Sequence, residues 1–263
     1  MKSYLEINKN SWNNRTAVHL ESEFYDVKSF LEGKSSLNSI ELNLLGNVEG
    51  KSILHLQCHF GQDTISLSRL GAKSVGVDLS DKAIEAGREL ALKDNSDARF
   101  ICSDIYDLPN HLDEKFDIVF TSYGTIGWLP DLDKWAKVVS RFLKPQGKFL
   151  IVEFHPLVWM FDDDFQRIEY KYFKSDAIKT TEETYTENAE QKDDFVTWNH
   201  SLSEVINSLI SSGLQINSLD EYDYSPYNCF NQTEEFESGK FRIKHLENKI
   251  PMVYSVLATK GNI

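Results

Sequence analysis

The sequence predicts an α/β domain layered around a mostly parallel sheet. Three observations predict it. From residue 52 onward, short apolar segments of strand character alternate with segments of helical periodicity. The apolar segments end in turns carrying Gly, Asp and Ser. A chain of 263 residues, 41% hydrophobic, buries a core large enough to need no disulfide or metal staple.

Residues 52–57 (SILHLQ) read as the first buried strand, followed by a short helix over about 61–70 that Gly71 stops. Residues 74–78 (SVGVD) form the second strand, and Ser80 caps a helix with Ala83, Ile84, Gly87, Leu90 and Ala91 on one face. Residues 99–102 (RFIC) are the third strand. Residues 116–122 (FDIVFTS) are the fourth, apolar on both faces as a central strand requires. Over 131–143, Leu132, Trp135, Ala136, Val139, Phe142 and Leu143 repeat at helical spacing, with Pro145 just beyond. Residues 147–154 (GKFLIVEF) are the fifth strand.

The alternation then breaks. Residues 157–200 and 223–250 read as insertions, the first with an expected hairpin pairing 168–173 with 181–186. Ser201 and Glu204 suggest a capping box for a helix that Gly213 ends, and 214–219 and 252–259 are the last two strands. The first fifty residues read as two or three short helices. We assign residues 1–50 to a helical segment, read as a lid over the site with plain packing as the alternative, and 51–263 to the main domain.

The formal net charge is -13, which disfavours nucleic acid and anionic membrane surfaces as partners. A small neutral or cationic substrate fits better. Cys58, Cys102 and Cys229 are dispersed and odd in number, as expected in a reducing compartment. No secretory signal or membrane span is visible, so a cytoplasmic protein is expected. The seven histidines lack metal-site spacing, and no metal is expected.

Ligands of open α/β sheets bind beyond the carboxyl ends of the strands. The first such end is the turn Gln57-Cys58-His59-Phe60-Gly61, which lacks the G-x-G-x-x-G pattern that suits a pyrophosphate. The second carries Asp78, Leu79 and Ser80, where a carboxylate can accept from both hydroxyls of a ribose; the alternative for Asp78 is a helix cap. The third carries Asp104 and Ile105, an acid and an aliphatic cover for an adenine. The fourth carries Ser122 and Tyr123. Two acids flanking one nucleoside, with no phosphate to neutralise, favour adenosylmethionine over NAD.

The succession LHLQCHFG, GVDLS, CSDIYDLP, FDIVFTSYG and LKPQGKFLIVEFHP resembles the class I S-adenosylmethionine-dependent methyltransferases over about residues 50–155. The resemblance implies a three-layer Rossmann-like sandwich, seven-stranded, with an antiparallel last strand. It implies S-adenosyl-L-methionine as cofactor and a small-molecule methyl acceptor. The family's loop D-x-G-x-G-x-G is altered: His55 stands at its acid, and Gln57 and His59 at its first two glycines. A bacterial subgroup whose loop reads HLQCHFG is closer, and by that likeness Trp12 and Tyr25 close over the cofactor. The implied cofactor contacts are therefore Trp12, Tyr25, Gln57, Cys58, His59, Gly61, Asp78, Leu79, Ser80, Asp104, Ile105 and Ser122.

A sulfonium donor leaves as a neutral thioether, so alignment and water exclusion dominate and a base matters only for a protonated nucleophile. His155, expected to face the cleft, is the first candidate base; the alternative is a histidine bonded to its loop. Tyr123 is the second and His200 the third, while His19 and His59 are expected beside the cofactor. Trp159, Phe161, Tyr222, Tyr224, Tyr227 and Phe230 suggest either an acceptor cage or a hydrophobic cluster. An NAD-dependent oxidoreductase and a non-catalytic adenosylmethionine-binding protein are the competing readings.

Overall fold

Polar side chains, not apolar ones, form the inward face of the first helix. A computed structural model describes residues 3–186 and 192–261. In it, α1 (Tyr4–Glu21) is one continuous helix that buries Asn8, Ser11, Arg15, Thr16 and His19. Ser3 and Glu6 close its N-terminus as a capping box. Two short helices follow, α2 (Val27–Leu31) and α3 (Ser39–Leu45). The expectation of only short helices ahead of the sheet is corrected: a stripe of buried polar residues carries no apolar periodicity to read.

The alternating region runs β1 (Ser52–Leu56), α4 (Gln62–Arg69), β2 (Lys73–Asp78), α5 (Asp81–Asp94), β3 (Arg99–Cys102), β4 (Phe116–Ser122), α6 (Leu132–Phe142) and β5 (Leu143–Phe154). After it come β6 (Ile178–Glu182), β7 (Asp193–Thr197), α7 (Leu202–Ser211), β8 (Leu214–Tyr222), β9 (Thr233–Glu237), β10 (Lys240–Ile243) and β11 (Val253–Lys260). One sheet takes the order β3-β2-β1-β4-β5-β11-β8. The first five are parallel, and β11 is antiparallel to both of its neighbours. The predicted Rossmann-like sandwich with an antiparallel last strand is what forms.

Successive side chains of a strand point to opposite faces, so β1 feeds both layers. Leu54 and Leu56 pack with Val139 and Phe142 of α6 and Val205 and Leu209 of α7. Ile53 packs on the other face with Ile40 and Leu45 of α3 and Leu67 of α4. Trp135, the largest fully buried side chain, anchors α6 against Phe149.

The insertions differ in detail from expectation. The hairpin pairs β6 with β7, Thr180 opposite Phe195, and not 168–173 with 181–186. Ile168 makes only an isolated bridge, to Phe161. Aromatic-rich 168–173 lacks a period-2 partner, whereas β7 gains a cover from α1: the Asn8 side-chain amide donates to the Val196 carbonyl and accepts the Val196 N–H, both at 2.8 Å. The second insertion holds the antiparallel pair β9–β10. Ser201 caps α7, but Glu204 turns to His200 and Lys174 and leaves the capping box half built. Among the described residues, no helix is long and apolar enough to cross a membrane, and no group of three or more His, Cys, Asp or Glu is placed to hold a metal.

Candidate functional site

The turn after β1 keeps a glycine-like backbone without the glycines. Gln57 has φ 53°, His59 φ 51° and Gly61 φ 72°. For a residue with a Cβ, this left-handed region costs about 1–2 kcal/mol. Such strain persists only where the surroundings enforce it. The Gln57 side chain is tied across to β4's loop, donating to the Thr125 carbonyl at 2.7 Å. At Gly61 there is no room either: a Cβ would stand 2.1 Å from the Phe100 ring.

Asp78 holds the next strand end. Its two oxygens accept the His59 N–H and the Ser80 N–H, each at 2.8 Å. Burial pushes its carboxyl up to about 6. Ser80, not Asp78, caps α5 by accepting the Ala83 N–H, and its hydroxyl donates to Asn13 of α1. Asp104 follows β3, its carboxyl raised by burial, with Ile105 beside it. After β4, the Ser122 hydroxyl donates to Asp63 at 3.3 Å. Tyr123, at φ 46°, donates its hydroxyl hydrogen to Glu41 at 2.9 Å.

These ends open on one cavity of about 800 Å³. Trp12, Tyr25, Gln57, Cys58, His59, Asp78, Leu79, Asp104, Ile105, Ser122 and Tyr123 all line it. Gly61 and Ser80 do not; they shape the wall from behind, Gly61 by yielding to Phe100 and Ser80 by anchoring Asn13.

His155 is a correction. It does not line the cavity. Its Nε2 lies 2.8 Å from a Glu221 carboxylate oxygen, and its Nδ1 accepts the Leu157 N–H at 3.1 Å. The pleat would set His155 on the same face as Glu153, but His155 lies past the strand's end, where its bonds to Glu221 and Leu157 draw it to β8 instead. His200 does line the cavity, but its Nε2 donates to the Leu129 carbonyl and its Nδ1 is 3.1 Å from Glu204. His19 and His59 meet at 2.9 Å, and burial pulls both below the ordinary range, His19 to about 3. Both are neutral near pH 7.

Of the insertion aromatics, Trp159, Phe161, Tyr227 and Phe230 line the cavity, while Tyr222 and Tyr224 do not. Phe154, Trp159 and Phe230 meet edge to face, with centroids 5.0–5.8 Å apart.

Three residues escaped sequence reasoning. Glu153 is buried and accepts the N–H groups of Gly124, Thr125, Ile126 and Phe154 and the Thr125 hydroxyl. A carboxylate inside FLIVEF was its signal. Glu41, fully buried, accepts the Asn38 N–H at 2.7 Å as well as Tyr123, and burial with Asp63 nearby lifts it to about 7. Its place in SSLNSIELN reads only as a helix start. Arg15, 6% exposed, stands in the cavity wall among the rings of Trp12, Trp128 and Phe195.

Residues 53–147 match the family described as Methyltransferase domain. The chain is 35% identical over 131 residues to an uncharacterised methyltransferase of Synechocystis, covering 49% of this chain and 59% of that one. It is 26% identical over 140 residues to a sterol 4-C-methyltransferase of Caenorhabditis elegans, covering 49% of this chain and 41% of that one. The alignments thus span about half the length of these curated relatives. A crystal structure of an S-adenosylmethionine-dependent methyltransferase from Mesorhizobium loti superposes with a TM-score of 0.57 at 18% identity, over 88% of this chain and all of that one. Over residues 53–147 the chain is thus similar to methyltransferase domains, and its fold is the Rossmann-like one seen in that solved structure.

Proposed function

We propose that the protein is an S-adenosylmethionine-dependent methyltransferase acting on a small-molecule acceptor. The observation that carries this reading is the pair of carboxylates, Asp78 and Asp104, at neighbouring strand ends of a single 800 Å³ cavity. That volume lies within the roughly 300–1,000 Å³ of small-molecule sites. The chemistry of the wall fits the cofactor. Asp78 and Asp104 are acceptors for a nucleoside's hydroxyls and exocyclic amine, with Ile105 as apolar cover. The turn after β1 suits a diphosphate poorly. Its Cys58, His59 and Gly61 N–H groups are already spent on the Val77 carbonyl, Asp78 and the Cys58 carbonyl. Gln57 Oε1 is buried with no partner among the described residues, an acceptor awaiting a donor.

Bound there, adenosylmethionine supplies an electrophilic methyl group on a sulfonium centre. The chain's own residues align the acceptor and exclude water. Phe154, Trp159 and Phe230 offer an apolar seat for a flat or cationic acceptor. Tyr123 has given its hydrogen to Glu41, so its oxygen is left to accept a hydrogen bond from an acceptor's O–H or N–H. Burial and Glu41 hold the phenol neutral, well above its ordinary value. Its role is therefore to position the acceptor, and Glu41 fixes the direction of its hydroxyl.

The test incubates the protein and methyl-labelled adenosylmethionine with a metabolite extract. Label in a discrete low-molecular-weight product, absent with Asp78→Asn, supports the reading. Tight adenosylhomocysteine binding without transfer to any fraction would leave a binding protein instead.

A further inference from the structure

We propose that Arg15 is the counter-ion for the cofactor's amino-acid carboxylate, replacing the backbone cradle that the turn after β1 can no longer offer. The inference rests on the cofactor reading above and names the residue that recognises the cofactor's charged end.

The cavity wall holds two cations among its described residues, Arg15 and Lys192. Lys192 is mostly exposed and lies 4.0 Å from Glu183. Arg15 is 6% exposed and makes no hydrogen bond or ion pair with any described residue. Its Nε is buried without a partner. A guanidinium so placed is costly unless an anion joins it. Among the described residues, the faces of three rings pack against the guanidinium: Phe195 at 4.9 Å, Trp12 at 5.6 Å and Trp128 at 5.7 Å. Those contacts hold the planar group and leave its donors unsatisfied. The carboxylates of Glu182 and Asp193 and the phenols of Tyr25 and Tyr185 lie close enough to act on its charge, yet burial outweighs them and pulls the guanidinium below its ordinary value.

Position selects the ligand group. Trp12 reaches from Arg15 to His59 in the turn after β1 and to Trp128 in the loop after β4, with centroids 5.1 Å away in both cases. Asp78 and Asp104 occupy the ends of β2 and β3, on the other side of β1. A ligand whose nucleoside meets those acids and whose chain crosses the end of β1 brings its far terminus beneath α1, where Arg15 stands. The three turn N–H groups of Cys58, His59 and Gly61 are already donated to the Val77 carbonyl, to Asp78 and to the Cys58 carbonyl. A bidentate guanidinium is the natural substitute.

The experiment is calorimetric titration of the full chain with adenosylhomocysteine and with its decarboxylated analogue, which lacks only the carboxylate. Wild type, Arg15→Lys and Arg15→Gln are compared. For wild type the analogue should bind about 10–100-fold more weakly, the range of a charge-assisted contact. In Arg15→Gln, adenosylhomocysteine should weaken by about that factor while the analogue holds within about twofold; Arg15→Lys should fall between. The unaltered analogue affinity also shows that each variant is folded. Equal weakening of both ligands would assign Arg15 to structure and overturn the proposal. Unchanged adenosylhomocysteine affinity would turn Arg15 toward an anionic acceptor and also overturn it. Wild type binding neither ligand would instead sink the cofactor reading itself.

Discussion

Glu153 accepts the Thr125 N–H at 2.7 Å and the Thr125 hydroxyl at 2.9 Å, so one buried carboxylate on β5 sets the chain leaving β4. The same side chain takes the N–H groups of Gly124 and Ile126. Glu153→Ala strands these donors, and each unsatisfied buried group costs about 1–3 kcal/mol. We expect a stability loss of roughly 3 kcal/mol in urea denaturation, since such penalties are not additive. A loss under about 1 kcal/mol would show that the turn holds itself.

Glu41 should leave a pH signature on stability. Its folded carboxyl is raised from 4.5 to about 7 by burial and Asp63. A raised folded value means that the native state binds the proton more tightly. The resulting stabilisation is therefore complete below about pH 4.5 and disappears as pH climbs through 7. The stability difference between wild type and Glu41→Gln should fall over that window and level off above it. A difference independent of pH would place Glu41's titration elsewhere.

Asp78 should control nucleoside binding in its charged form. Asp78→Asn replaces one acceptor oxygen with an amide and should weaken adenosylhomocysteine about 10–100-fold by calorimetry. Because burial lifts the acid to about 6, wild-type affinity should also decline as pH drops through that value. The variant should show no such slope. A folded Asp78→Asn with wild-type affinity would remove Asp78 from the binding surface.

His155 should matter for stability alone. Its Nε2–H is given to Glu221 and its Nδ1 receives the Leu157 N–H, outside the cavity. His155→Ala is expected to lose about 1 kcal/mol in thermal denaturation, the worth of a partly exposed hydrogen bond. Adenosylhomocysteine affinity should stay within about twofold. A selective loss of affinity would return His155 to the site.

The sheet was legible because its strands are apolar where both faces are covered, as in 116–122, and because α6 shows an unbroken apolar stripe. The acids at the ends of β2 and β3 were legible from their position after a strand. What stayed hidden follows one rule. Hydrophobic periodicity cannot flag a buried polar side chain, whether on a polar face, as with Arg15 on α1, or among apolar neighbours, as with Glu41 beside Ile40 and Leu45 on α3 and Glu153 within β5. His155 misled for a related reason: the residue after a strand's last turn obeys its hydrogen bonds rather than the pleat. The β6–β7 hairpin was misplaced because β7 packs against α1, a contact far away in the chain that local patterning does not reveal.

The bond between Asn8 and Val196 has a consequence for biosynthesis. The two partners lie 188 positions apart, so Val196 is synthesised only after all five parallel strands. Loop closure over such a span comes late, after the sheet's local crossovers have formed. The ceiling over the strand ends therefore closes only after the five parallel strands exist, and until then the nascent chain presents an open, unroofed groove in which Trp12 and Arg15 lack their wall.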